Sequence, residues 1–192
     1  MNFLGHIYLT PEDDELLLGN FIADSVKGNP YNKLPERVAD GVKLHRAIDA
    51  FTDSHSIVKK GAERFRSSQG RYAAVVIDLV YDHVLASNWN KFHNHELGSF
   101  VNEVYQRLES HSQHFPANVE RFFPYMKQQN WLYNYQFEWG FRKSLEGLDR
   151  RSAIDTQMVT SVEIYRENQP EFLQEFQEFI AEAKEMVQSH SS

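Results

Sequence analysis

The sequence predicts an all-α protein folded as one domain over residues 1–192, and three observations predict it. Apolar residues recur at helical spacing along most of the chain, while no segment sustains the alternation of a strand. Glycine (9) and proline (6) are scarce and no low-complexity linker divides the chain, so one core of about eight or nine helices is expected. Near the C-terminal end, Glu171, Glu175, Glu178, Glu182 and Glu185 step by 4, 3, 4 and 3, which is one face of a helix. Phe172, Phe176, Phe179, Ile180 and Val187 take its other side, so the glutamate face is expected to be solvated.

The elements follow in order. Leu16, Leu17, Leu18, Phe21, Ile22 and Val26 form the inward face of a helix over 12–26, with Thr10 as N-cap and Pro11 suited to the helix start. Gly28-Asn29-Pro30 ends it. A second helix over 35–51 turns Val38, Val42, Leu44, Ile48 and Phe51 inward. Ser54 or Ser56 caps a third, ending near Ser67, and Gly70 breaks the chain before a long apolar helix over 72–92. Helices over 97–111, 116–127, 133–145 and 152–166 precede the glutamate-faced one. The end, His190-Ser191-Ser192, is expected to fray.

Composition removes several kinds of chemistry. With no cysteine there are no disulfides, thiolate metal sites or cysteine nucleophile, whereas nine histidines leave room for a nitrogen and oxygen metal site. The balance of 27 acids against 20 lysines and arginines, net −7, argues against a general nucleic-acid binder. The longest apolar run, Ala73 to Ile77, is far short of the roughly 20 residues that span a membrane. The start lacks a basic stretch and meets Glu12, Asp13, Asp14 and Glu15 at once, so no signal peptide and a cytoplasmic location are expected. The sequence leaves the oligomeric state open.

The residues that resist a core reading lie in the first ninety. His45 and Asp49 are four apart on one predicted helix, so they share a face and can address one ion, with Asp53 four further on. Asp78 and Asp82 repeat that spacing in the next apolar helix, followed by His83. Asp24 follows Phe21-Ile22-Ala23, and His6 sits within Phe3-Leu4-Gly5-His6-Ile7-Tyr8-Leu9. A buried carboxylate is costly unless it is paired or metal-bound. Taken singly each has a plainer explanation: a buried histidine is usually a satisfied core residue, Asp53 suits a helix cap, and Asp49 stands near Arg46. Taken together, imidazoles and carboxylates on successive helices form a ligand set for Mn, Fe, Zn or Mg. His93, His95, His111, His114 and His190 fall in polar or connecting stretches and are expected to be solvated. Trp89, Trp131 and Trp139, with Tyr133, Tyr135 and Phe137, read mainly as core, a minority lining a groove.

Four ordered motifs carry a resemblance. Asn2-Phe3-Leu4-Gly5-His6, Gly19-Asn20-Phe21-Ile22-Ala23-Asp24, His45-Arg46-Ala47-Ile48-Asp49 with Thr52-Asp53, and Asp78-Leu79-Val80-Tyr81-Asp82-His83-Val84-Leu85 resemble the acyl carrier protein phosphodiesterase family. The motifs cover the first ninety residues, and overall length and aromatic helices continue the likeness. The family is similar to the helical HD-type metal phosphohydrolases, although the adjacent pair is reversed here, Asp82-His83. The resemblance implies removal of the 4′-phosphopantetheine arm from holo acyl carrier protein, with manganese preferred and iron or magnesium as alternatives.

On that basis His45, Asp49, Asp82 and His83 are the expected metal ligands, with Asp24 and His6 next. Asp24 or Asp78 would orient or deprotonate the attacking water, and His6 would protonate the departing serine oxygen. Arg46 and Lys27 are the expected phosphate contacts. Residues 33–71 hold nine basic and five acidic residues, +4 against −11 for the remainder, which would suit an acidic carrier protein. Lys59, Lys60 and Arg64 are its expected docking contacts. Two competitors stand beside this reading: an HD-like phosphohydrolase of nucleotides or other small phosphoesters, and a non-enzymatic helical binding protein whose His and Asp form hydrogen-bond networks.

Overall fold

A computed structural model describes residues 1–152 and 156–190. The apolar stretch around His6, which periodicity alone leaves unassigned, is helix α1 (Phe3–Leu9). Seven residues cannot nucleate a helix unaided. The stabilising cap is distant in sequence: Leu4 and Gly5 donate their backbone N–H groups to Asp82 Oδ2 and Oδ1 at 2.8 and 3.0 Å. A carboxylate there satisfies orphan donors and complements the positive end of the helix.

Helix α2 (Asp14–Ile22) starts later than the sequence suggests. Asp13, not Thr10, caps it, accepting from Leu16 N at 2.8 Å. Thr10 instead closes α1, its hydroxyl donating to His6 O at 2.8 Å. A 3-10 turn over Ala23–Ser25 follows, and Gly28, at φ 80°, turns the chain away. Helix α3 (Glu36–Ser54) then crosses α2 at very short range. A Cβ on Gly19 would lie 2.0 Å from Val38 O, and one on Gly41 2.3 Å from Leu16 O. Only glycine permits this approach, which brings Asn20 against His45.

Helix α4 (Ser56–Glu63) is capped by His55, whose Nδ1 accepts from Ile57 N at 3.3 Å, rather than by Ser54 or Ser56. A single turn, α5 (Arg66–Gln69), leads to the central helix α6 (Ala73–Ser87). Its Val76, Ile77, Leu79, Val80, Tyr81, Val84 and Leu85 are all buried. Helices α7 (Leu97–Ser110) and α8 (Ala117–Gln128) follow close to expectation. The helix expected over 133–145 is two: α9 (Trp131–Asn134) and α10 (Glu138–Asp149). Gly140 sits so close to the preceding turn that a Cβ would meet Asn134 O at 1.9 Å, and Phe137 is extended between the two helices. Of the helix expected over 152–166, residues 153–155 lie outside the described residues, and α11 occupies Ser161–Glu167. Helix α12 (Gln169–His190) completes the chain as described; Ser191 and Ser192 lie outside the described residues.

Helices α1, α4, α10 and α12 pack around α6. Tyr81 meets Phe176 and Phe179 at ring distances of 5.2 and 5.4 Å, and Phe65 stacks on Phe172 at 5.6 Å. The glutamate ladder of α12 is interrupted at Glu175, which is buried. Four residues after Glu171 and three after Phe172, it sits at the edge of the glutamate face that borders Phe172 and Phe179, and so is drawn into the packing. Arg64 grips it with both guanidinium nitrogens at 2.8 Å, and Lys60 adds a contact at 3.1 Å. All described elements are helical, as expected, and none is long and apolar enough to cross a membrane.

Candidate metal centre

Three elements converge on one point. His6 from the middle of α1 and His45 from α3 stack ring on ring, centroids 4.0 Å apart and 15° between planes. Asp49, one turn beyond His45, reaches both: Oδ1 lies 3.1 Å from His6 Nε2 and Oδ2 lies 3.2 Å from His45 Nε2. One ligand atom from each of the three falls within 4.8 Å of the others. Asp24, in the turn after α2, brings Oδ1 to 3.4 Å from His45 Nε2.

Asn20 sets the orientation. Its amide nitrogen donates to Thr10 Oγ1 at 2.7 Å and to His6 O at 3.2 Å, so its oxygen must face His45. His45 Nδ1 donates to that oxygen at 2.9 Å, which leaves Nε2 as the ring atom aimed at Asp24 and Asp49. His6 Nε2 has only its contact with Asp49 and Nδ1 has no hydrogen-bond partner among the described residues, although the residue is only 4% exposed. Buried polar atoms are seldom left so. Two imidazoles, one converging carboxylate and a second within reach could hold a divalent transition-metal ion, and the loosely satisfied ring of His6 fits such a use.

The local electrostatics suit the same use. Burial pushes His6 down to about 4, against the pull of Asp49. Burial also opposes charge on His45, but hydrogen bonds to Asp24 and Asp49 outweigh it and hold His45 up at about 9. Burial would raise Asp49, yet His45 and His6 keep it well below the usual carboxylate range. Asp24 is lowered by its bond to His45. The cluster thus holds two carboxylates, one neutral imidazole and one imidazolium near neutral pH.

The other predicted site residues lie elsewhere. Asp82 is 0% exposed and is spent on capping α1, with burial raising it to about 7 despite the two N–H bonds. His83 faces away, as the next residue on a helix must, about 100° round. Its Nδ1 donates to Tyr135 O at 2.6 Å and its ring stacks on Phe141 at 4.9 Å. Both therefore stand outside the cluster as metal ligands. Asp78 accepts from the Met1 nitrogen at 2.9 Å and lines the cavity beyond the cluster. Arg46 points outward, donating to Val26 O at 2.8 Å and Gly28 O at 3.0 Å, and Lys27 is exposed beside it. Neither lines the cavity. Lys60 and Arg64 are committed to Glu175, and Lys59 is exposed on α4.

The cluster opens into a cavity of about 710 Å³. Phe3, Phe21, Phe122, Trp131 and Trp139 supply its apolar wall, and Lys143 of α10 with Arg150 and Arg151 just past its end bring positive charge. The volume is that of a site for a sizeable organic ligand. Asn20 and these cations are the functional candidates that the sequence reading missed. Asn20 carried a usable signal, since it is a polar residue inside Leu16-Leu17-Leu18-Gly19-Asn20-Phe21-Ile22, the argument already applied to Asp24.

Comparison with known proteins adds an independent line. The family model described as acyl carrier protein phosphodiesterase matches residues 1–183. A curated relative from Photorhabdus laumondii subsp. laumondii, named acyl carrier protein phosphodiesterase, is 34% identical over 152 residues, 79% of this chain and 77% of its own. Relatives of the same name from Yersinia pestis and Klebsiella pneumoniae are 33% identical. The first covers 70% of each chain and the second 81% of each. No solved structure matches the chain.

Proposed function

Because the chain belongs to the acyl carrier protein phosphodiesterase family, we propose that it hydrolyses the phosphodiester joining 4′-phosphopantetheine to a serine of holo acyl carrier protein. The observation that carries the reading is the His6–His45–Asp49 cluster at the end of a cavity with apolar and cationic walls. His6 Nε2, His45 Nε2 and Asp49 are the residues that would hold a divalent ion. Their two nitrogens favour manganese or iron over magnesium. Such an ion would neutralise phosphate charge and lower the pKa of a bound water toward neutrality.

The chain's own residues account for the remaining tasks. Asp24, with a side chain 84% exposed, is free to orient the attacking water or take its proton. Of the three cations that line the cavity Arg150 is paired with Glu146, and Lys143 and Arg151 can hold the non-bridging phosphate oxygens. Water adds to phosphorus, the bond to the serine oxygen breaks, and that oxygen takes up a proton. The products are apo carrier protein and the free phosphopantetheine monoester. Phe122 and Trp131, near-parallel at 6° with centroids 6.5 Å apart, give the cavity an apolar wall on which the pantetheine chain can lie.

The test is incubation of holo carrier protein with the protein and manganese, read by intact mass. Loss of the arm is expected, abolished by chelator and by Asp49→Ala. An unchanged carrier mass, with turnover of nucleotide monophosphates or cyclic nucleotides instead, would transfer the activity to a small phosphoester.

A further inference from the structure

We propose that the exposed surface formed by Lys27, Tyr31, Lys33, Lys43 and Arg46 is the docking face for the protein that carries the scissile phosphodiester, and that it recognises an acidic surface of that partner. The inference rests on the proposed reaction and says where the partner sits.

A serine side chain is short, so a protein whose serine ester lies at the metal cluster must bring its backbone close to the exposed lip of that cluster. The lip is Asp24, 84% exposed in its side chain, together with Asp49 at 44%. The segment that leaves Asp24 is the loop 26–29, and cations pin it from outside. Arg46 donates to Val26 O and Gly28 O, and Lys33 Nζ donates to Lys27 O at 3.2 Å. Lys43 lies over the ring of Tyr31, 4.2 Å from its centroid, and Tyr31 is itself 38% exposed.

Charge accounting separates this face from the rest of the basic segment. Among the described residues, none of Lys27, Lys33, Lys43 and Arg46 is paired with a carboxylate, so their field reaches solvent. Of the acids within the segment, Asp40 is engaged by Tyr31 and Arg37, and exposed Glu36 offsets one of the four cations, leaving the face net positive. Lys60 and Arg64, further along, are neutralised by Glu175. In a chain of net −7, an acidic partner needs such a local positive field to approach in register. Tyr31 adds a rigid aromatic of the kind that anchors protein interfaces.

The experiment measures binding and chemistry separately. Fluorescently labelled holo carrier protein is titrated with wild type, Lys33→Glu/Lys43→Glu and Lys59→Glu, all loaded with manganese, at low and moderate salt. The double variant is expected to bind about tenfold more weakly and to lose much of the salt dependence, while Lys59→Glu stays near wild type. Melting temperature, manganese content and hydrolysis of a small phosphodiester such as bis(p-nitrophenyl) phosphate are expected to be unchanged. Should the double variant fold poorly, Lys43→Gln provides the same test with a loss of about threefold. Equal affinity of the double variant and wild type overturns the proposal, as does absence of wild-type binding or an equal loss in Lys59→Glu. Release of the arm is scored independently by mass, so a carrier that binds through this face but keeps its arm would refute the reaction and leave the surface standing.

Discussion

Lowering the pH from 8 to 6 is expected to weaken metal binding about a hundredfold, through one proton on His45. In the metal-free protein Asp24 and Asp49 hold that imidazolium up at about 9. Coordination through Nε2 requires the proton to leave. Each pH unit below about 9 therefore weakens the apparent affinity about tenfold, or about 1.4 kcal/mol. His6 adds nothing in this range, since burial keeps it neutral above about 4. Asp49 adds nothing because it is already ionised. The slope of log Kd against pH is then one between pH 6 and 8, with one proton released per ion. Two unperturbed histidines would behave otherwise, giving no slope above about pH 7 and a slope approaching two below pH 6.

Calorimetric titration of manganese in two buffers of different ionisation enthalpy measures both the affinity and the proton count. A flat profile between pH 7 and 8, or two protons per ion near pH 6, would refute the assignment of charge in the cluster. Thermal melts of the metal-free protein offer a second check. A pKa raised on folding stabilises fully below the ordinary value of 6.5, and the stabilisation is lost as pH rises through about 9. The loss is at most about 3 kcal/mol, and less because Asp24 and Asp49 are partly solvated.

Five further variants have definite expected outcomes. Asn20→Ala leaves the circular dichroism unchanged but lowers manganese affinity about 10–100-fold, because His45 loses the acceptor that fixes its tautomer. Asp82→Ala orphans two buried N–H groups of α1, costs about 2–4 kcal/mol in urea melts, and weakens manganese binding although no ligand is removed. His83→Phe, by contrast, keeps one bound ion at wild-type affinity, as metal analysis would show. Gly19→Ala forces its Cβ against Val38 O and costs about 3 kcal/mol or more, whereas Gly147→Ala, whose Cβ meets nothing within 4 Å, is neutral or stabilising.

Helices announced by their own periodicity were legible in the sequence: α2, α3, α6, α7, α8 and α12 lie close to where the apolar spacing puts them. Helix α1 was not, because its cap comes from Asp82, 78 residues away. The break between α9 and α10 was hidden for a similar reason, since it depends on the fit of Gly140 against the Asn134 carbonyl. The charge pattern misled in the same way. Lys60 and Arg64 look like a solvated basic face until α12 brings Glu175 against them.

Within the site, His45 and Asp49 were readable as a pair because one helix carries both, and the i, i+4 rule needs no tertiary information. His6 and Asp24 were readable as polar intruders on apolar segments, but not in their roles. Asp82 shows the limit of that rule. A carboxylate inside an apolar helix signals a buried obligation, and capping a helix discharges it as fully as binding an ion does. The two uses are nonetheless coupled here. Asp82 holds Leu4 and Gly5, and His6 is the next residue. Asn20 in turn holds the carbonyl of His6 and the ring of His45. The motif around Asp82 thus bears on the proposed metal centre through the helix that presents His6, and its acid positions an expected ligand while standing outside the cluster itself.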